Sequence, residues 1–424
     1  MKKIIERILA FLAKRIVKKY HPKIIGITGS IGKTSAKEAI FCVLDGNFRV
    51  RQNIKNYNNE LGVPLTIIGA ESGGSNPIAW LNVFFKALNL LVTEQKDYPE
   101  ILILEMGADK PGDIGYLVNI APCFVGVLTK ISASHLEAFK TIEAVAKEKQ
   151  KIITHLERDG FAILNYDDDR IKACAENTRA QIISYGFGDA DVRALDLTEL
   201  NEQKELIGLK FKIQHKGNAV PGFMPGVIGA HGLYAGLAAT GVGLAFGLNL
   251  IQVSEGLKKY RAPKGRMNVI AGISDSLIID DTYNSSPDAA MAALDTLGKM
   301  HIAGITRKVA VLGDMLELGE MTEESHRALG KRAVESGIGV LVTVGNNRNL
   351  IADGARSAGL SDDKIKQFET SGLAGQAVKN LIQSGDITLV KGSQGARMER
   401  IVKEIMKNPL DAGKLLVRQG EEWR

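Results

Sequence analysis

The run Lys23-Ile-Ile-Gly-Ile-Thr-Gly-Ser-Ile-Gly-Lys-Thr-Ser35 leaves little choice of local fold. A short β-branched segment feeds a glycine turn closed by Lys33 and Thr34, so the stretch reads as strand, loop, then helix. Gly29 and Gly32 allow a tight turn in which successive N–H groups, with the hydroxyls of Thr28, Ser30 and Ser35 nearby, point at one anion. Lys33 brings a mobile positive charge, Thr34 can offer its hydroxyl to Mg²⁺, and the helix that starts there adds its dipole. A bare glycine turn between strand and helix is the alternative, but the strand before and the Lys-Thr pair after are the context a phosphate cradle requires. The position five before Gly32 is Ile27 rather than glycine, so the pattern is the shorter Gly-x-x-Gly-Lys-Thr.

A chain of 424 residues, 45% hydrophobic and 24% charged, has the balance of soluble globular protein and the length of two or three domains. Its three cysteines, Cys42, Cys123 and Cys174, are far apart and form no Cys-x-x-Cys pair. That argues against a disulfide framework or a zinc site and suits a reducing cytoplasm. The net charge of +6 lies entirely in residues 1–20, which carry seven lysines and arginines against Glu6, while the other 404 residues balance. A body without net charge gives no support to nucleic-acid binding.

Those first residues place Ile4, Ile5, Ile8, Leu9, Phe11, Leu12, Ile16 and Val17 largely on one side of a basic amphipathic helix. Two readings stand: the helix docks by its apolar face on the domain that follows, or it anchors reversibly at the surface of an anionic membrane. Lys14 and Arg15 interrupt the apolar run, which fits a signal peptide poorly. No window spans a bilayer; the nearest, residues 80–92, is expected to be a buried helix.

From Lys23 on, β-rich runs at 23–28, 101–105, 124–130 and 161–165 alternate with helical stretches such as 33–45 and 141–157, the rhythm of a parallel sheet with crossover helices. Residues 182–215 read as hairpins and 230–247 as a helix of small residues. After a linker at Arg261-Ala-Pro-Lys-Gly265, strands near 268–273, 276–281, 308–313, 340–345 and 387–391, each expected to lead into a helix, mark a doubly wound domain. The expected fold class is α/β: a central P-loop ATPase domain with a mostly parallel sheet, plus a C-terminal Rossmann-like domain. The boundaries are 1–22 for the basic helix, 23–262 and 263–424.

In open parallel sheets, ligands gather beyond the carboxyl ends of strands. The strand at 101–105 ends in Glu105, where a nucleotide-bound Mg²⁺ needs an oxygen ligand, and the strand at 124–130 leads to His135-Leu-Glu137. Either acid could instead cap a helix, and a lone histidine is more often structural; their shared placement favours function. In the following helix Ile142, Val145, Ile152 and Leu156 form an apolar stripe that Lys149 completes. A lysine there can snorkel, pair with a carboxylate, or lose its proton and react. Asn58 and Asn59 are turn formers or substrate contacts. In the last domain Arg266 sits at the entry, Asp281 and Asn284 at the end of a strand suit ribose or phosphate contact, and Asp314, Lys391 and Ser393 also follow strands.

Taken together these segments resemble the Mur ligase family over residues 23–407. The resemblance rests on Thr28-Gly-x-x-Gly-Lys-Thr34, Asn58-Asn-Glu-x-Gly-Val-Pro64, Glu105-Met-Gly107, His135-Leu-Glu137, Asp280-Asp-x-Tyr-Asn284 with Pro287-Asp288, Gly313-Asp-Met-x-Glu-Leu-Gly319 with His326, and Leu389-Val-Lys-Gly-Ser393. It implies ATP-dependent amide bond formation through an acyl phosphate. The family's Mg²⁺ ligands fall on Thr34, Glu105 and His135, with Lys33 on the phosphates. Lys149 falls on the lysine commonly carbamylated in the family, where the carbamate helps hold a second Mg²⁺. Arg266, Asp281 and Asn284 fall on nucleotide contacts, Lys391–Ser393 on the amine site, and closure of the last domain is expected to accompany binding.

The members most similar add D-Ala-D-Ala to a UDP-muramoyl-tripeptide, which implies those small-molecule substrates and a cytoplasmic monomer. A polyglutamate-adding or cofactor-amidating ligase, or a nucleotide-binding scaffold held at a membrane by residues 1–20, are the alternatives. Three departures stand out. Only the basic helix precedes the phosphate loop, where family members have a UDP-holding domain. The family's Gly-x-His-Asn-x-x-Asn is Gly229-Ala-His231-Gly-Leu-Tyr-Ala235, keeping His231 for the nucleotide without either asparagine. Gln394 replaces the arginine usual after Lys-Gly-Ser.

Overall fold

A computed structural model describes residues 2–54, 57–133, 135–202, 205–300, 307–420 and 423. The chain divides into two compact units. The first comprises Met1–Leu197, Lys210–Met224 and Leu233–Tyr260, the second Thr198–Leu209, Pro225–Gly232 and Arg261–Arg424.

The first unit is built on strands β1 (Lys23–Thr28), β2 (Val50–Gln52), β3 (Ile101–Glu105), β4 (Val125–Leu128), β5 (Phe161–Asn165) and β6 (Gln181–Gly186), and its sheet runs on into β7 (Val192–Glu202), β8 (Glu205–His215) and β9 (Asn218–Pro225), of which Thr198–Leu209 and Pro225 are counted with the second unit. The order across the sheet is β2-β3-β1-β4-β5-β6-β7-β8-β9. Pairing is parallel from β2 through β6. The β8–β9 turn places Lys216 and Gly217 both at positive φ, as a two-residue hairpin requires. Strands β1 and β3 to β5 are buried on both faces, hence their near-continuous Ile, Leu and Val. On one face Ile24, Leu102, Leu104, Leu128 and Leu164 share a core with the helices Lys2–Tyr20, Gly62–Ile68, Pro77–Val92 and Asp113–Ile120.

The basic helix therefore does dock: Leu9, Leu12, Ala13 and Ile16 are fully or nearly buried. The stretch expected to be a buried helix is only half so. It runs Pro77–Val92, capped by Asn76 with Pro77 in its first turn, and buries Val83, Ala87 and Leu90 while leaving Ile78, Leu81, Phe85, Leu88 and Val92 exposed. Apolar content alone does not tell which side of a helix meets the core. The helix foreseen at 141–157 is broken into Ile142–Lys149 and Lys151–Thr154. Among the described residues no helix is long and apolar enough to cross a membrane.

The second unit holds β10 (Asn268–Ala271), β11 (Leu277–Asp281), β12 (Arg307–Gly313), β13 (Val340–Val344), β14 (Ile365–Phe368) and β15 (Asp386–Lys391), ordered β10-β11-β15-β12-β13-β14. β10 pairs antiparallel with β11 across a short turn, so the crossover helix expected between them does not exist. All other pairs are parallel. Alternate residues serve two separate cores. Ile279, Leu312, Leu341 and Leu389 face one set of helices, and Ile278, Val311, Val342 and Val390 face the other. This is a doubly wound sheet.

Candidate active site

The glycine loop leaves β1, whose neighbours in the sheet are β3 and β4. Groups from three adjacent strand ends therefore converge with no long-range folding requirement beyond sheet order. Thr28 Oγ1 donates to Met106 O (2.8 Å), and Ser30 N to Lys130 O (2.6 Å), which ties the loop to both neighbours. Gly29 (φ 154°) and Gly32 (φ 86°) both hold angles that side chains rarely adopt, and a Cβ on Gly29 would in addition lie 2.0 Å from Thr129 Oγ1. Thr129 Oγ1 itself donates to Ile31 O (2.7 Å). Lys33 opens the helix Lys33–Leu44 and folds back to give Nζ–H to Gly29 O (2.7 Å). Thr34 and Ser35 follow in its first turn.

Glu105 ends β3 almost fully buried. Its N–H donates to Asn53 Oδ1 (2.5 Å) and its Oε1 accepts from Asn58 Nδ2 (3.2 Å). The two asparagines singled out in the sequence thus part company. Asn58 faces the carboxylate, whereas Asn59 Oδ1 accepts from Leu61 N and Gly62 N (3.2 and 2.9 Å) at the start of the helix Gly62–Ile68. His135 sits at φ 52°, ahead of the short helix Leu136–Phe139, with Nε2 3.7 Å from Asp109 Oδ1.

Lys149 closes the helix Ile142–Lys149 and is 2% exposed. Burial, with the neighbouring positive charge of Lys33, pushes its amine down to about 7 against the opposing pull of Asp109, Glu148 and Glu105. The preceding Glu148 turns elsewhere. It accepts from Gly112 N (2.9 Å) and Ile114 N (2.8 Å) at the start of the helix Asp113–Ile120, and from Lys151 Nζ (2.7 Å). Burial raises its carboxyl, but Lys151 and the two N–H groups outweigh that and leave it lowered.

Gly29, Ser30, Lys33, Asn58, Asp109, His135 and Lys149 line a cavity of about 70 Å³. Its polar wall combines two lysine side chains with a carboxylate and an imidazole, an arrangement suited to an anionic ligand accompanied by a hard cation. Among the described residues no three His, Cys, Asp or Glu side chains gather as a metal cluster. Mg²⁺ commonly uses one or two protein oxygens and completes its shell with phosphate and water. Glu105, the Thr34 hydroxyl and His135 fit that sparse donor set. Sequence reasoning passed over Asn53 and Glu148, whose partners lie on other elements. Asp109, four residues beyond Glu105, was not singled out either.

The other sequence-selected residues lie in the second unit. Asp281 and Lys391 are register partners on β11 and β15, with Lys391 Nζ 2.6 Å from Asp281 Oδ2 and 3.0 Å from Asn284 O. Ser393 Oγ donates to Ser285 O (3.2 Å) and accepts from Leu316 N (2.9 Å). Asp314 accepts from Asn346 N and Asn347 N (both 2.9 Å). Buried His326 accepts from Met315 N at Nε2 (3.0 Å), which puts its proton on Nδ1, 2.6 Å from Thr322 O. The Arg266 guanidinium lies 4.2 Å over the Tyr283 ring, and His231 is on the exposed first turn of the helix Gly229–Ala245.

Known proteins resemble this chain along most of its length. Residues 85–243 match the Mur ligase middle domain, and residues 265–394 the Mur ligase glutamate ligase domain. The chain is 30% identical over 400 residues to the UDP-N-acetylmuramoyl-tripeptide–D-alanyl-D-alanine ligase of Bacillus subtilis, covering 94% of this chain and 79% of that protein. A crystal structure of MurF from Acinetobacter baumannii superposes with TM-score 0.79 at 28% identity, covering 95% of this chain and 81% of the other. MurF ligase from Thermotoga maritima in complex with ADP gives 0.77 at 26% identity, covering 94% and 83%.

Proposed function

The chain belongs to the Mur ligase family, and we propose that it is the ATP-dependent ligase that joins D-alanyl-D-alanine to a UDP-N-acetylmuramoyl-tripeptide, acting as a monomer in peptidoglycan precursor synthesis. The observation that carries the reading is the cavity that gathers Lys33, Asp109, His135 and Lys149 beside the glycine loop.

A carboxylate oxygen of the tripeptide attacks the γ-phosphorus of ATP, the bond to the β-phosphate oxygen breaks, and ADP leaves an acyl phosphate. The amine of D-Ala-D-Ala then attacks the acyl carbon, phosphate departs, and the amine loses a proton. Lys33 leaves its hydrogen bond to Gly29 O for the transferred phosphoryl group, where its charge offsets that of the oxygens. The loop N–H groups hold the polyphosphate. Thr34, Glu105 and His135 would hold Mg²⁺, which would neutralise charge at the phosphates. Asn58 keeps Glu105 oriented toward that task.

Lys149 carries a carbamate in the working enzyme: its neutral amine adds to CO₂ and loses a proton, which leaves a buried anion that would be fit to hold a second Mg²⁺. An amine lowered to about 7 is in large part neutral at physiological pH, which supports the reading. In the second unit, His231, Arg266, Asp281 and Asn284 contact the nucleotide, and Asp314, Lys391 and Ser393 serve the incoming dipeptide. The test is ADP release measured with UDP-muramoyl-tripeptide and D-Ala-D-Ala, singly and together, against folate-like acceptors with glutamate. Turnover that needs both muramoyl tripeptide and dipeptide is expected. Turnover with the folate-like pair alone would overturn the substrate assignment.

A further inference from the structure

The helix Pro77–Val92 is apolar on two opposite sides. At about 100° per residue, Val83, Ala87 and Leu90 fall together and point into the core, while Ile78, Leu81, Phe85, Leu88 and Val92 fall within an arc of about 80° on the far side. That second stripe stands in water, with Phe85 74% and Val92 84% exposed. Lys86 is the helix's only charged residue. A row of five large apolar side chains left in solvent marks an interaction surface.

The neighbouring helix Lys2–Tyr20 also leaves apolar side chains in solvent. Lys19 Nζ donates to Leu90 O (2.9 Å) and Leu91 O (3.0 Å), and Tyr20 OH to Leu90 O (2.9 Å), so the two helices are tied together at their C-terminal ends. Beside the face that buries Leu9, Leu12 and Ile16, this helix exposes Ile4, Ile8 and Phe11. Exposed Arg7, Lys14, Arg15 and Lys18 flank those three on the same outer side.

Charge decides between the occupants such a surface could take. The whole net charge of the chain, +6, sits on this one helix. A second copy of the chain would bring two such basic sets together, whereas an anionic phospholipid surface offers apolar depth and opposite charge at once. Lysine and arginine stems reach from the apolar layer to the headgroups. We propose that the outward faces of Pro77–Val92 and Lys2–Tyr20 together form a docking surface for an anionic phospholipid membrane, with the aliphatic and aromatic stripe entering the headgroup boundary and the basic residues lying on the phosphates.

The test is co-sedimentation of the full chain with vesicles of phosphatidylcholine alone or mixed with phosphatidylglycerol. Binding is expected to the mixed vesicles only, and to weaken as salt rises. Leu81→Glu with Phe85→Glu should lower it about ten-fold or more, and Arg15→Glu with Lys18→Glu should also weaken it. Both variants should keep the wild-type Tm and the ADP-release rate on soluble substrates, since the altered side chains lie in solvent. In a separate Phe85→Trp chain, emission should shift to the blue on mixed vesicles. No pelleting with mixed vesicles, or equal pelleting of wild type and Leu81→Glu/Phe85→Glu, would overturn the proposal. So would a concentration-dependent dimer that this double variant breaks while vesicles bind neither protein, which would give the face to a second copy of the chain.

Discussion

Asn58 Nδ2 donates to Glu105 Oε1 at 3.2 Å, joining a residue that lines the cavity to a buried carboxylate forty-seven positions on. The bond sets which carboxylate oxygen remains for a cation. Asn58→Ala is expected to lower kcat by about ten-fold, the cost of one hydrogen bond to a charged group, and to raise the Mg²⁺ concentration needed for half-maximal rate. An Mg²⁺ titration of ADP release reads both; an unchanged Mg²⁺ requirement would count against Glu105 as a ligand.

Lys149→Ala should abolish turnover, and short carboxylic acids should restore part of it by standing in for the carbamate. In the wild type, a ¹³C-bicarbonate carbamate signal should grow as pH rises through about 7, because only the neutral amine reacts. Full activity of the alanine variant removes the carbamate.

The same lysine affects folding. Its folded pKa lies below the unfolded value, so above about 7 the native chain binds fewer protons than the unfolded one, and stability rises with pH from there to the ordinary lysine range. Lys149→Met should flatten this slope in urea unfolding followed between pH 7 and 10.

Gly29→Ala places a methyl against Thr129 Oγ1 and should weaken nucleotide binding by more than about ten-fold, roughly 1.4 kcal/mol. Adding Thr129→Ala removes the opposing atom and should recover part of that affinity in an ADP-binding titration. No recovery would mean that the backbone angle, rather than the clash, excludes alanine.

Asp280 is fully buried, with Oδ1 accepting from Thr282 N and Oγ1 while Oδ2 has no partner. Burial pushes its carboxyl up to about 6. A raised folded pKa means stability that is complete below the unfolded value and lost as pH climbs through about 6. Asp280→Asn should remove that part of the pH dependence, read as Tm between pH 4 and 7.

The glycine loop, both parallel sheets and the stripe position of Lys149 were legible in the sequence. Each depends on local chemistry: β-branched runs buried on both faces, glycines where a side chain cannot fit, and a helical period in which one lysine stands among aliphatics. The β10–β11 hairpin was not legible, because a strand pairs antiparallel or crosses over according to a connection whose length alone does not decide.

What the sequence by itself determined was the set of parts: a phosphate-binding turn after a strand, acids and an imidazole after two more, and a lysine on an apolar helix face. Sheet order, which sets β3 and β4 on either side of β1, was decided by tertiary structure, since strand neighbours are chosen by packing between distant segments. Tertiary structure also turned Glu148 to a helix N-terminus and Lys149 to the cavity, consecutive side chains about 100° apart on one helix. It left Phe85 and its row in water, because the core had room for only one side of an apolar helix.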